Sequence, residues 1–225
     1  MAQDKPPLRI RLARVYREKG LSGIWFGALA GVGYRRLELL ERRFDVPVPE
    51  ILPRVEAEIR RLQREDERAF EALGQGDASV FRARLEHGDQ CWGAWCSGSL
   101  RHVSWIAFRD VWVEYLRCRL LLDDGVAYIY RLFTEPEYRR LDVARATLAA
   151  CLKALHDQGC TVALAVVLPD NPWALYRWSK VRFRRIGVVR ALGTGQRPRI
   201  FVRLDRRAGA EVHWKFKRSP SPLRP

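Results

Sequence analysis

Apolar positions change their spacing several times along this chain, and each change marks an element. Val55, Ile59, Leu62, Ala69, Phe70 and Leu73 recur at helical intervals and predict one amphipathic helix over 55–73, stopping before Gly74. Residues 88–96 and 100–108 read as two strands around Ser97, Gly98 and Ser99, the pattern of a hairpin. A further strand over 117–122 turns at Asp123, Asp124 and Gly125 into the apolar run VAYIYRLF. Leu148, Cys151, Leu152 and Leu155 then predict a helix over 144–158, closed by Gly159. The near-continuous apolar stretch CTVALAVVL, residues 160–168, suits a strand covered on both faces. A short helix over 172–180 and strands near 184–191 and 199–204 complete the series.

Residues 1–54 read differently, as a basic helical extension. Arg9, Arg11, Arg14, Arg17 and Lys19 precede the apolar run LSGIWFGALAGVG, and Arg35, Arg36, Arg42 and Arg43 follow it. Such a segment suits an anionic headgroup layer, or a helix packed on the main domain. Its thirteen apolar residues fall short of a bilayer span. Pro47, Pro49 and Pro53 break the segment, so the main domain is expected over 55–205, with a flexible basic tail over 206–225.

Composition narrows the partners. A formal net charge of +15 favours polyanions, acidic lipid or phosphorylated ligands. No zinc-finger spacing, RNP-type aromatic motif or basic zipper supports nucleic acid. The five cysteines are odd in number and lack CxxC spacing, which fits core positions in a reducing cytoplasm, with the extension peripheral to a membrane as the alternative. The four histidines make no HxH or HExxH pair, so no metal site is expected.

The chemistry concentrates in YRLFTEPEYRRLDVARATL, residues 130–148, and NPWALYRWSKVRF, residues 171–183. A strand, a loop and a helix start form an anion receptor, because the first helical N–H groups lack partners and the helix dipole favours negative charge. Thr134, Pro136, Tyr138, Arg139 and Ala144 resemble V-x-P-x-Y-R-G-x-G-x-G/A of the GCN5-related N-acetyltransferase (GNAT) family, and Asn171, Ala174 and Phe183 resemble its N-x-x-S/A-x-x-x-Y-x-x-x-G-F. The resemblance implies an α+β fold in α/β/α layers around a mixed, mostly antiparallel sheet, with acetyl-CoA as co-substrate and a small-molecule amine as acceptor. It implies that Leu132, Phe133 and Thr134 hold the pantetheine arm, and that Arg139, Arg140, Asp142, Val143, Ala144 and Asn171 complete the cofactor site. The family's first strand has no obvious counterpart after residue 55 and would have to come from the extension.

The departures bear on activity. Arg140, Asp142 and Arg182 stand where the family has glycine, which such loops use for positive φ or close approach to a ligand. The Asp142 carboxylate would face a pyrophosphate unless turned away or paired with an arginine. Trp178 replaces the family's tyrosine acid, and indole cannot serve as an acid at neutral pH. Tyr176 is the fallback acid, although roughly 200° round a helix from Trp178. Glu135 heads the candidate bases, ahead of Glu137, Asp110, Glu114 and His102. Trp92, Trp95, Trp105, Trp112 and Tyr115 either line an acceptor pocket or fill the core. An N-acetyltransferase, a binding module retaining the fold, and a peripheral polyanion-binding protein are therefore the competing readings.

Overall fold

The computed structural model describes residues 25–195, 197–205 and 213–217. Its strands are β1 (Tyr34–Arg43), β2 (Glu58–Arg61), β3 (Gln90–Cys96), β4 (Ser99–Ala107), β5 (Val111–Val113), β6 (Cys118–Leu121), β7 (Val126–Thr134), β8 (Val162–Val167), β9 (Arg184–Leu192), β10 (Arg199–Leu204) and β11 (Lys215–Lys217). The helices that pack on them are α1 (Glu67–Ala72), α2 (Ala78–His87), α3 (Val143–Asp157) and α4 (Pro172–Lys180). One eight-stranded sheet runs in the order β10-β9-β1-β8-β7-β4-β3-β2, and β11-β6-β5 form a small second sheet. Every pairing is antiparallel except β7 with β8. This is the mixed α+β architecture the sequence resemblance implies.

Strand alternation explains the layers. Ala127 and Ile129 of β7 join Leu148, Cys151, Leu152 and Leu155 of α3 and Trp178 of α4 in one core. Tyr128 and Tyr130 point the opposite way. On that face Tyr128 packs with Leu116, Cys118, Leu120 and Trp214 beneath the small sheet, and Tyr130 reaches the cluster of Phe70, Phe81 and Trp105 under α1 and α2. All five cysteines are buried and free.

Three parts of the sequence reading need correction. Residues 34–43, expected within a helical extension, form β1 in the middle of the large sheet, between β8 and β9. YRRLELLERR is rich in good helix formers, but Leu37, Leu39 and Leu40 are buried between two strands, and tertiary packing overrides propensity. The strand's charges are satisfied internally. Arg36 and Arg185 pair with buried Glu38, at 2.8 and 2.5 Å. Arg42, 1% exposed, donates to the carbonyls of Val181 and Val46, at 2.9 and 2.8 Å. Arg35, Arg36, Arg42 and Arg43 are thus strand residues. The residues before 25 lie outside the described structure.

The helix expected over 55–73 is instead β2, a 3-10 turn and α1. Asp66 ends the strand: it accepts from both guanidinium nitrogens of Arg60 at 2.8 Å and from the Gln63 N–H at 2.8 Å, which starts a new helix there. An additional helix, α2, is capped by Asp77, which accepts from the Val80 N–H, and ends at Gly88 with φ 97°. The tail expected to be flexible contributes β11 and the buried Trp214. Among the described residues no helix is long and apolar enough to cross a membrane.

Candidate active site

A gap in the sheet creates the site. β7 and β8 pair in parallel only from Val126↔Val162 to Tyr128↔Leu164, and beyond that point they diverge. On its other edge β7 stays paired with β4 as far as Thr134. The β8-facing backbone of residues 129–134 therefore has no strand partner, leaving hydrogen-bonding groups open to a ligand. The divergence opens a cleft of about 340 Å³, whose lining includes Ile129, Tyr130, Arg131, Leu132, Val167, Asn171, Arg177 and Trp178.

β7 also bulges along this edge. Val103 pairs with Phe133 and Trp105 with Tyr130, so Arg131 and Leu132 together oppose Ser104. Arg131 takes φ 47° to make the bulge. Leu132 lines the cleft, whereas the Phe133 side chain packs into the core under α1 and α2. Thr134 is fixed by His102, which is fully buried: Nδ1 lies 2.8 Å from Thr134 Oγ1 and Nε2 lies 2.8 Å from Ser104 Oγ. Burial and the nearby Arg177 push the His102 pKa down to about 3, so the imidazole is neutral and clamps the residues on either side of the bulge.

The loop after β7 keeps the glycine conformations without the glycines. Arg140 and Asp142 have φ of 67° and 60°, and Arg182, in the turn after α4, has φ 66°. Asp142 immediately precedes α3, yet its side chain caps none of the helix N–H groups. Its carboxylate instead accepts from Arg145 Nε at 2.9 Å and Arg54 Nε at 3.2 Å. The charge expected to oppose a pyrophosphate is thus turned to two arginines, and the first-turn amides of Val143 and Ala144 remain available to an anion. Arg139 donates to the Thr134 carbonyl at 3.2 Å, holding the loop against the end of β7.

Helix α4 supplies the opposite wall. Asn171 accepts from the Ala174 N–H at 3.0 Å, which explains the N-x-x-A spacing and leaves the amide nitrogen of Asn171 facing the cleft. Trp178 is 4% exposed and stacks edge-on against Phe183, with ring centroids 4.5 Å apart. Tyr176 points away: it is 52% exposed, lies under the Lys180 ammonium and is outside the cleft, so it cannot serve as the acid there.

Arg177 was missed by the sequence reading. It lies three residues after Ala174 and beside Trp178, on the same helix face, and it lines the cleft. Among the described residues its guanidinium has no hydrogen-bond or ion-pair partner. Burial, then Arg139 and Arg145, lower its pKa. Three arginines therefore converge at this end of the cleft, and Asp142, the loop carboxylate that adjoins α3, is already engaged.

None of the base candidates lines the cleft. Glu135 accepts from Arg101 at 2.6 Å, and Glu114 pairs with Arg131 at 3.2 Å. Asp110 accepts from the Leu122 N–H at 3.2 Å, and Glu137 sits in the 3-10 turn after β7. Of the five aromatics, Tyr115 lines the cleft and Trp105 is core, 1% exposed.

Comparison with known proteins agrees with this geometry. No curated protein matches the sequence. The fold is similar to that of a GNAT-family protein from Novosphingobium aromaticivorans DSM 12444, at 19% identity and TM-score 0.50 over 70% of this chain and 65% of that one. It is also similar to a GCN5-related N-acetyltransferase from Sphaerobacter thermophilus, at 14% identity and TM-score 0.52 over 76% of this chain and 55% of that one. This chain thus spans less than two thirds of either relative. The sequence pattern of the acetyltransferase (GNAT) family matches residues 56–180, more than half of the chain, and the chain belongs to that family.

Proposed function

We propose that this protein transfers an acetyl group from acetyl-CoA to the amine of a small molecule by direct attack on the thioester. The observation that carries the reading is the cleft between β7 and β8, which joins an unpaired strand edge to a convergence of arginines beside an Asp142 carboxylate that is already paired. The residues fit such a co-substrate. The open edge of 129–134 would hold the pantetheine arm, the Asn171 amide would reach it from α4, and Arg139, Arg177 and the amides of Val143 and Ala144 would meet the phosphates.

The amine must be uncharged to attack. Among the described residues no carboxylate lines the cleft, so the amine's proton passes to water, and Trp178 stands where the family's tyrosine would protonate the departing thiolate. Both features make turnover rise with pH as the acceptor amine loses its proton. The same Trp178 favours the second reading, a module that binds the thioester and turns it over poorly.

Thermal unfolding with and without acetyl-CoA tests the first step. Saturation at a hundred times the dissociation constant should stabilise the protein by about 2.7 kcal/mol. No shift at millimolar acetyl-CoA would exclude both readings. Given a shift, thiol release across a panel of amines separates enzyme from binder.

A further inference from the structure

The acceptor side of the cleft carries a charge that narrows the substrate. Building on the acetyltransferase reading, we propose that the acceptor is a small amine that also carries an anionic group, a carboxylate or a phosphate, and that Arg131 recognises that group. Among the described residues the charged side chains lining the cleft are Arg131 and Arg177. They approach from opposite faces of the sheet. Arg177 stands on α4 with Arg139 and Arg145 close by, at the end fitted to the cofactor's phosphates. Arg131 stands at the bulge on the other face, where Val113 and Tyr115 close the cleft and Tyr128 and Tyr130 form its floor.

The carboxylates on that face do not compete strongly for the same space. Asp89 accepts from the Tyr130 hydroxyl and contacts His87 Nδ1 at 3.0 Å. Asp170 is buried, and its charge acts on Tyr115 together with the opposite charge of Arg35. Glu114 pairs with Arg131, but the two side chains are 74% and 48% exposed. Such a pair contributes little and exchanges readily for a ligand carboxylate or phosphate. Arg84 adds a second positive charge behind Tyr130, with its guanidinium 5.8 Å from the ring centroid.

The sign of the charge also separates acceptors. A polycationic amine would meet Arg131 with like charge. An amino acid or phosphorylated amine would pair with the guanidinium, in the forked geometry arginine offers to either group.

The test uses the full-length protein with acetyl-CoA and four acceptor classes: amino acids, phosphorylated amines, their neutral amide or alcohol counterparts, and a polyamine. The expected result is a KM at least tenfold lower for one of the anionic classes than for its neutral counterpart, and the preferred class identifies the anion. In Arg131→Asn, which tolerates the bulge conformation, that preference should fall to within threefold. Glu114→Gln, which frees Arg131, should lower the KM of the anionic amine two- to threefold. Calorimetric titration of the same amines into the CoA-loaded protein should show the same order of affinity without turnover. Preference for the polyamine, failure of every anionic amine to bind or react, or an unchanged preference in Arg131→Asn would overturn the proposal. Failure of CoA itself to bind would instead overturn the acetyltransferase reading.

Discussion

Arg140, Asp142 and Arg182 stand where the family has glycine and keep positive φ, and their energetics separate fold from function. A left-handed conformation costs a non-glycine residue about 1–2 kcal/mol. Arg182 takes φ 66° in the turn between α4 and β9, away from the cleft lining. Arg182→Gly should therefore raise stability by about 1 kcal/mol, read as a Tm increase of about 2–4 °C, and a lower Tm would show that the arginine side chain compensates. Arg177 poses the opposite case, a half-buried cation without a partner among the described residues. Arg177→Gln should weaken CoA binding about tenfold while leaving Tm unchanged or higher, as calorimetry and thermal unfolding can separate. His102 makes a pH prediction. Its folded pKa of about 3 lies below the ordinary 6.5, so the unfolded state binds the extra proton. The stability due to the neutral imidazole is complete above pH 6.5 and is lost as pH falls towards 3, with a slope of up to about 1.4 kcal/mol per pH unit. In His102→Gln the difference between stabilities at pH 7 and pH 5 should shrink accordingly.

At the scale of elements, the sequence was clearest where apolar runs and caps agree. The helix expected over 144–158 is α3, the strand expected over 160–168 contains β8, and the helix over 172–180 is α4. These three place the loop, Asn171 and Trp178 around the cleft. β1 was hidden because Leu, Glu and Arg are good helix formers and its buried charges find partners visible only in three dimensions. Arg177 was hidden because it falls between motif positions. Its signal was an arginine on the face of α4 that carries Ala174 and Trp178, where an apolar residue would ordinarily pack. The small sheet was obscured because β5, β6 and β11 have three, four and three residues and lack a long alternating pattern. The place of β1 can be tested directly. Leu39 is fully buried, so Leu39→Ala should cost about 2–5 kcal/mol in denaturant unfolding, whereas a loss below 0.5 kcal/mol would show that β1 is not a central strand.

Across the whole molecule, the charge of +15 and the arginines at the cleft act together. Electrostatic attraction of an anionic co-substrate weakens as salt screens it over a length of about 10 Å at 0.1 M. CoA affinity should accordingly fall at least about fivefold between 0.05 and 0.5 M salt, with most of the change in the association rate. A salt-independent affinity would mean that the basic surface contributes nothing to capture, and that the local contacts suffice.

The position of β1 also sets a timetable for the nascent chain. Glu38 pairs with Val167, 129 residues later, and with Val188 on its other edge. At about 5–20 residues per second of synthesis, β1 leaves the ribosome roughly 6–25 seconds before its first partner strand exists. During that interval its leucines and buried-to-be charges face water, and the sheet cannot close across its middle. The fold must therefore be completed from its later strands inwards. Slower translation of residues 44–167 would lengthen the time in which a chaperone, rather than β8, holds this segment.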